Sequence, residues 1–296
     1  NAIWQIALQA DAGRGVGGDV TRFGKSRYSM VMITIMSFNI RYGLADDGPQ
    51  RWQQRRELVI ERIRAAAPDL IGLQECRDDE QAATIRAALP DYDFYGVPRG
   101  GDGPTALEMA PILVRRAAFD IGRRGCFWLS DTPDLPGSVG WDALFPRTAT
   151  WVELVHRPSG GVLACLNTHF DLMPQAIVNS ARLVRGWVER TAARLPLVVC
   201  GDFNADKSSA AYEMLADGHT LADAWRQANG AGADETTFHG FGQPGVATAI
   251  DWVLVSPSLA VAEATTDRVQ QAGLYPSDHY PVVVTLRPPP TPVTVF

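Results

Sequence analysis

Ser277-Asp278-His279-Tyr280-Pro281-Val282-Val283-Val284 places an acid and an imidazole between a turn and an apolar strand. Two other carboxylate clusters also follow apolar runs, namely Leu73-Gln74-Glu75 and Gly201-Asp202-Phe203-Asn204. Polar groups at strand ends are where α/β folds build their binding and catalytic sites. The three clusters therefore predict a site at the strand ends of an α/β domain.

The composition is that of an ordinary globular chain, because 46% of its 296 residues are hydrophobic and 20% are charged. The formal net charge of −6 argues against indiscriminate nucleic-acid binding, although a basic patch or a bound metal reverses this locally. The cysteines lack the paired spacing of zinc sites, so buried thiols are favoured over disulfides. They are Cys76, Cys126, Cys165 and Cys200.

No apolar run approaches the length of a membrane span, and residues 1–29 lack the apolar segment of a secretory signal. We therefore expect a cytoplasmic protein with reduced thiols, and no protein partner is evident. Residues 1–31 are interpreted as an N-terminal extension or leader and residues 32–287 as one catalytic domain. Residues 288–296 are interpreted as a Pro-rich C-terminal tail.

Apolar runs and helical periodicities alternate along this domain. Strands are predicted at residues 32–40, 70–73, 111–114, 149–155, 162–166, 197–200, 250–255 and 281–286. Helices are predicted at residues 52–67, 81–89 and 175–194. Several strand pairs have no helix between them, which favours packed sheets with outer helices over a purely parallel sheet.

The residues at the strand ends suit the hydrolysis of a phosphoester. This reaction needs charge neutralisation on the non-bridging oxygens, an oriented water and help for the leaving oxygen. Glu75 and Asp278 provide the hard oxygens that Mg²⁺ prefers, and Asn39 ends the first strand as a neutral oxygen ligand or an orienting group. His169 and His279 are able to move protons or hold phosphate oxygens.

Six motifs occur in a fixed order along the chain. They are Ser37-Phe38-Asn39-Ile40-Arg41, Gln74-Glu75-Cys76-Arg77-Asp78, Asn167-Thr168-His169, Gly201-Asp202-Phe203-Asn204-Ala205-Asp206, Ile250-Asp251-Trp252 and Ser277-Asp278-His279-Tyr280-Pro281-Val282. Together they resemble the endonuclease/exonuclease/phosphatase family in its deoxyribonuclease-like form, over about residues 32–286. The resemblance implies a four-layer α/β/β/α sandwich of two packed mixed sheets with outer helices. It also implies a metal-dependent phosphoric ester hydrolase.

The same resemblance implies roles for the polar residues at the strand ends. Glu75 looks like the principal ligand of Mg²⁺ or Mn²⁺, with Asn39 and Asp278 beside it. Asp202 resembles the residue that activates or orients the water for in-line attack. Asn204 resembles the residue that holds the phosphate.

Two imidazoles also receive roles from the resemblance. His279 looks like the imidazole that Asp251 orients, and His169 is similar to its partner imidazole, with Glu108 as the expected carboxylate. Arg147 matches a phosphate-contacting arginine of the deoxyribonuclease branch. A catalytic role is thus implied for both carboxylate–histidine pairs.

Structural explanations stay open for several of these residues when each is taken singly. Asp202 and Asn204 also suit a turn and helix N-cap, and Asn39 also suits a strand-ending turn. His169 also suits a hydrogen-bonded core histidine. Asp251 is an acid inside an apolar strand and needs a partner, for which His279 is the natural candidate.

A nuclease-type phosphodiesterase is the first substrate hypothesis. Arg41 and Arg77 match basic residues that approach the nucleic-acid backbone in deoxyribonuclease, and Arg147 adds a third. Phosphate contacts of this kind position a chain without reading its sequence. Ala106 stands where the deoxyribonuclease branch carries a tyrosine, which counts against duplex DNA.

A small-molecule phosphatase or phosphodiesterase is the alternative, acting on a sugar, lipid-headgroup or nucleotide phosphate. The loops that carry Trp128 and Trp141 would then close over the substrate, and the negative net charge fits this slightly better. A polyphosphate substrate is disfavoured because Arg268 is the only basic residue within residues 251–276. The sequence thus predicts a phosphoester substrate and leaves nucleic acid or small molecule unresolved.

Overall fold

A computed structural model of the protein describes residues 32–230, 232 and 234–289. The predicted extension at residues 1–31 and residues 290–296 of the predicted tail lie outside this part of the chain. The division into extension, domain and tail therefore stays a prediction. No helix within the described ranges is long and apolar enough to cross a membrane.

Two six-stranded mixed sheets form the centre of the fold. In spatial order, the first contains Val261–Thr266 (β13), Val282–Leu286 (β14), Ile33–Asn39 (β1), Leu70–Gln74 (β2), Ile112–Arg115 (β6) and Tyr92–Tyr95 (β4). The second contains Ala222–Asp223 (β11), Asp251–Val255 (β12), Leu197–Asp202 (β10), Val162–His169 (β9), Thr148–His156 (β8) and Phe119–Trp128 (β7). Cys76–Arg77 (β3) and Glu108–Met109 (β5) form a separate short pair.

Five helices and one 3₁₀ turn accompany the sheets within the described part of the chain. The helices are Trp52–Ala66 (α1), Glu80–Ala88 (α2), Pro174–Ala192 (α3), Ala210–Leu215 (α4) and Ala224–Asn229 (α5), and the 3₁₀ turn is Gly48–Gln50. The eight predicted strands and three predicted helices are confirmed with small shifts at their ends. Strand β7 was not predicted, because its sequence carries two glycines and two arginines. It lies at the edge of its sheet, where one side of the strand has no neighbouring strand.

Three buried clusters separate four layers. The cluster between the sheets joins residues of both, including Ile35, Val114, Val198 and Val253. A second cluster covers the outer face of the second sheet, where Val184 and Val188 of α3 pack with Leu166 and Val199. A third covers the outer face of the first sheet, where Val59 and Ile63 of α1 pack with Phe38 and Leu73. The order helix, sheet, sheet, helix confirms the predicted α/β/β/α sandwich.

All four cysteines are free thiols, as the sequence predicted. Cys200 lies between the sheets, where the backbones approach closely at Gly72. A Cβ on Gly72 would lie 2.7 Å from both Asn167 Oδ1 and Cys200 Sγ, so glycine is required there.

Asn167 is a buried polar residue that joins the two sheets. Its Nδ2 donates to the backbone oxygens of Leu73 at 2.7 Å and Pro111 at 2.9 Å, and its Oδ1 accepts from Gln74 Nε2 at 2.7 Å. A buried amide with this many partners fixes the register of one sheet over the other.

Replacing Asn167 with alanine is expected to lower the free energy of unfolding by about 2–4 kcal/mol, because the backbone oxygens of Leu73 and Pro111 and the Gln74 amide each lose a buried hydrogen bond. Urea denaturation measures this loss. Asn179→Ala is the matched control, since the Asn179 side chain only accepts a hydrogen bond from Arg182 at the surface. Equal stability of the two variants would contradict the proposed link between the sheets.

Candidate active site

The strand ends that carry the six motifs meet at one edge of the sandwich. β1 and β2 run parallel and end together at Asn39 and Gln74. β9 and β10 also run parallel, so His169 pairs in register with Asp202, and antiparallel β12 begins opposite them at Asp251. The predicted site residues therefore come together because parallel strands end at the same edge and antiparallel neighbours start there.

Asn39 orients two of the site carboxylates. Its Nδ2 donates to Glu75 Oε1 at 3.1 Å and to Asp202 Oδ2 at 2.9 Å, while its Oδ1 accepts from the backbone N–H of Arg41 at 2.9 Å. The nitrogen of the amide, rather than its oxygen, faces the carboxylates. Asn39 therefore orients both carboxylates in this arrangement, and its role as a metal ligand stays a prediction.

The negative charges of the Glu75 and Asp278 carboxyl groups interact with each other. Burial is the largest influence on Glu75 and raises its pKa, but Arg41 and the Asn39 hydrogen bond together hold that pKa below the usual value. Burial raises the pKa of Asp278, and His279 opposes this while Glu75 adds to it. Arg41 Nε lies 3.8 Å from Asp278 Oδ2, and the Tyr42 N–H donates to Glu75 Oε2 at 2.9 Å.

Two neighbouring, buried carboxyl groups with hard oxygen donors fit a divalent cation, which would offset their mutual repulsion. A second acidic group, made of Asp202, Asp251 and His279, offers ligand atoms that all lie within 4.8 Å of one another. In this group, however, His279 Nδ1 lies 2.8 Å from Asp251 Oδ2. Burial lowers the pKa of His279, but Asp251 and Asp202 outweigh it and raise that pKa to about 10. A protonated imidazole has no lone pair for a metal, so Glu75 and Asp278 suit the cation better.

Asp202 lies between both imidazoles. Its Oδ2 is 3.5 Å from His169 Nε2 and 3.7 Å from His279 Nε2, and its Oδ1 accepts from the Asn204 N–H at 2.9 Å. Burial and the charge of Asp251 raise the pKa of Asp202 to about 7. A carboxyl group with this pKa is suited to exchange a proton near neutral pH.

His169 is neutral and has a defined tautomer. Its Nδ1 lies 3.0 Å from Arg147 Nη1, and because a guanidinium only donates, the imidazole proton resides on Nε2, which faces Asp202. Burial, together with the charges of Arg147 and Arg99, holds the pKa of His169 well below its usual value. His169 is therefore a neutral donor toward Asp202.

The predicted pairing of His169 with Glu108 is wrong in this structure. Arg147 occupies Nδ1 of His169, and Asp171, buried two residues later in the chain, lies 3.4 Å from Arg147 Nε. Glu108 instead pairs with Arg99, whose Nη1 is 3.1 Å from Glu108 Oε2. Burial and the charge of Glu75 raise the pKa of Glu108 to about 7.

Glu108 and His169 nevertheless face the same recess of about 190 Å³, which Arg99 and Arg147 also line. Sequence reasoning did not identify Arg99, which lies outside every motif. It also gave no role to Asp171, although an acid two residues after a site histidine was a usable signal. Arg99 pairs with Glu108 and Asp171 with Arg147, and both contacts depend on how the intervening chain folds.

The predicted substrate-binding residues are mostly engaged inside the protein. Arg77 is buried with its Nε 2.8 Å from Asp79 Oδ2, and Trp128 is buried with Nε1 donating to the backbone oxygen of Arg99 at 2.7 Å. Neither side chain faces a substrate, so both assignments are corrected. Trp141 is half-buried on the loop before Arg147.

Three residues of the site have a left-handed backbone. Such conformations are uncommon for residues other than glycine and often mark functional positions. They occur at Arg41 (φ 54°), Glu75 (φ 59°) and Asn204 (φ 48°), and among the described residues also at Ala67, Trp141, Phe241 and Ala272. The turn at Glu75 brings its carboxylate back to Asn39 and to the Tyr42 N–H.

A sequence profile described as the Endonuclease/Exonuclease/phosphatase family matches residues 36–279, which contain five of the six motifs and Ser277-Asp278-His279 of the sixth. The chain belongs to this family. The match confirms the resemblance that the sequence predicted. Members of this family hydrolyse phosphoesters as nucleases or phosphatases.

Several known proteins are similar to this chain. A family structure from Bacteroides vulgatus is 33% identical, covers 87% of this chain and 99% of its own, and superposes with a TM-score of 0.79. The mannosyl-6-phosphatase of Bacteroides thetaiotaomicron is 33% identical, with coverages of 86% and 99% and a TM-score of 0.76. The CCR4-Not exoribonuclease subunit Ccr4 of Emericella nidulans is 24% identical over 64% of this chain and 38% of its own length. The chain spans 60% or less of the first curated relatives that it matches.

Proposed function

We propose that this protein is a divalent-metal-dependent phosphoesterase that hydrolyses small phosphorylated molecules. The observation that carries the proposal is that the arginines expected to track a nucleic-acid backbone are held by carboxylates of the protein. Arg77 and Arg147 are buried, and Arg41 donates to Asp47 through two nitrogens at 2.9 and 3.1 Å. Binding to a polyanion chain depends on exposed cations, so this arrangement supports a small substrate.

Similarity to known proteins also supports a small substrate. The mannosyl-6-phosphatase likeness extends over 99% of that chain at 33% identity, whereas the Ccr4 likeness extends over 38% of that protein at 24% identity. A sugar phosphate or a similar monoester is therefore the proposed substrate class. The recess beside His169, which Arg99 and Glu108 line, would contact the leaving group through hydrogen bonds.

Glu75 and Asp278 would hold the cation, Mg²⁺ or Mn²⁺, in this proposal. When bound there, the cation would supply positive charge to the non-bridging phosphate oxygens. Asp202 would orient the attacking water and accept its proton at Oδ2, in line with the pKa of about 7. His279 would donate from Nε2 to the phosphate.

Asn204 and Asp251 would complete the arrangement. Asn204 Nδ2 donates to the Phe170 backbone oxygen at 2.9 Å, which leaves its second N–H for a phosphate oxygen. Asp251 holds Nδ1 of His279 and thereby directs Nε2 to the reaction centre. His169 would hold Asp202 through its Nε2 proton.

The test is turnover of a substrate panel by the purified protein with Mg²⁺, with Mn²⁺ and with EDTA. We expect hydrolysis of sugar phosphates and nitrophenyl phosphate that needs the metal and stops with EDTA. The panel also includes duplex and single-stranded DNA, RNA, dinucleotides and a nitrophenyl phosphodiester. The Glu75→Gln variant, purified identically, controls for contaminating phosphatases. Cleavage of DNA or RNA without monoester hydrolysis would overturn the small-molecule proposal in favour of the nuclease.

A further inference from the structure

A second recess, of about 230 Å³, lies behind the carboxyl group that orients His279. Its polar wall is formed by Asp251, Thr237, Trp225, Lys207 and Glu235, and its apolar wall by Val253 and Val282. It is thus separate from the recess beside His169.

Two polar atoms of residues that line this recess are buried and have no hydrogen-bond partner within the described part of the chain. One is Asp251 Oδ1, the oxygen that does not contact His279, and the other is Trp225 Nε1. A buried group left unpaired destabilises the folded state, and a charged group does so more than a neutral one. An acceptor and a donor that line one polar recess are the pair of groups that an ordered water satisfies.

Lys207 brings a third polar group to the recess. Its side chain is 8% exposed, and its ammonium lies 2.7 Å from Asp223 Oδ2 and 2.5 Å from Glu235 Oε2. An ammonium has three N–H groups, so two carboxylate contacts leave one for the recess. Thr237 Oγ1 closes the same wall by accepting from the backbone N–H groups of Ile250 and Asp251, each at 3.1 Å.

The recess also suits hydration. It is small and has four polar side chains besides Asp251, so it suits a single ordered water that contacts several of them. A buried carboxylate that is held at only one oxygen is free to tilt. Holding both oxygens fixes its plane and therefore the direction of the His279 ring.

We propose that ordered water in this recess joins Asp251 Oδ1 to Trp225 Nε1 and to the ammonium of Lys207, which makes Trp225 and Lys207 positioning residues for the Asp251–His279 pair. The inference rests on the proposed function, because it assigns these residues to the same reaction. Neither residue belongs to a motif that the sequence analysis singled out.

The first test compares kcat and KM of three variants on the best monoester substrate. Trp225→Phe keeps the aromatic packing and removes only the N–H, and Lys207→Met removes the charge. Each substitution is expected to lower kcat by about 10-fold and to change KM less than twofold. A 10-fold loss is at the lower end of what is seen when a group that orients a site residue is removed. Lys207→Arg, which restores a cation with N–H donors, is expected to recover most of kcat.

Arg185→Met is the matched control, because Arg185 also binds two carboxylates, Glu189 and Asp217, but on the helix surface. It is expected to leave kcat unchanged. Thermal unfolding of every variant separates a loss of folded protein from a loss of kcat. Unchanged kcat in both Trp225→Phe and Lys207→Met would overturn the proposal, as would a loss explained entirely by the unfolded fraction.

A high-resolution crystal structure of the wild-type protein is the second test, and it does not depend on activity. We expect ordered water within hydrogen-bond distance of Asp251 Oδ1 and Trp225 Nε1. A dry recess would overturn the inference even if the enzyme hydrolyses phosphoesters. Absence of turnover on the whole substrate panel would instead overturn the proposed function, while the water in the recess would still be observable.

Discussion

Glu75→Gln is expected to lower kcat by about 10³-fold on any phosphoester that the protein hydrolyses. This corresponds to about 4 kcal/mol of transition-state stabilisation, the scale expected when a catalytic cation is weakened. Glutamine keeps the shape of the side chain and an oxygen for the Tyr42 N–H, so the loss reports the missing charge. Steady-state kinetics measures kcat, and calorimetric titration with Mg²⁺ measures the affinity for the cation.

The same variant is expected to be less stable than the wild type. Arg41 and the Asn39 hydrogen bond hold the pKa of Glu75 below its usual value, so the folded state favours the carboxylate, and the substitution removes the charge that they stabilise. Glu57→Gln is the matched control, because the Glu57 side chain is 80% exposed and lies on the surface of α1. Wild-type turnover by Glu75→Gln, or equal Mg²⁺ affinity in the variant and the wild type, would refute the metal assignment.

His279→Ala is expected to lower kcat by about 10²–10³-fold, the effect of removing one donor that stabilises charge on the transition state. It is also expected to destabilise the protein by about 3–5 kcal/mol, because Asp251 and Asp202 would remain buried without their shared cation.

The double variant His279→Ala/Asp251→Asn separates the two effects. Neutralising the unpaired Asp251 carboxylate is expected to restore much of the stability, as measured by urea denaturation, while activity stays lost. His219→Ala, at an exposed histidine outside the site, is the control and is expected to change neither quantity. If the double variant recovers activity together with stability, His279 has only a structural role.

Much of the fold follows from local patterns. Apolar runs predict strands such as β1 and β10, and a helical period that stops before Pro68 predicts α1. The motif residues lie at the ends of these elements, so their convergence at one sheet edge could be anticipated. The contact between His279 and Asp251 was anticipated for the same reason, since a buried acid in a strand needs a partner.

The errors arose where a partner comes from a loop. Glu108 was assigned to His169, but Arg99 binds Glu108 and Arg147 binds His169. No periodicity predicts how a loop arginine reaches a strand end, because that depends on how loops pack over the edge. The substrate role of Trp128 failed for the same reason, since its indole donates to the Arg99 backbone.

By itself, the sequence determined the sandwich architecture, the family and the carboxylates and imidazoles of the Asp278-His279 edge, because residue type and strand period are local properties of the chain. Only the tertiary structure decided which nitrogen of His169 carries the proton, that Asn39 contacts both Glu75 and Asp202, and that a polar recess lies behind Asp251. Each of these depends on side chains from strands and loops far apart in sequence. Their contacts are set by the packing of two sheets, which no local pattern encodes.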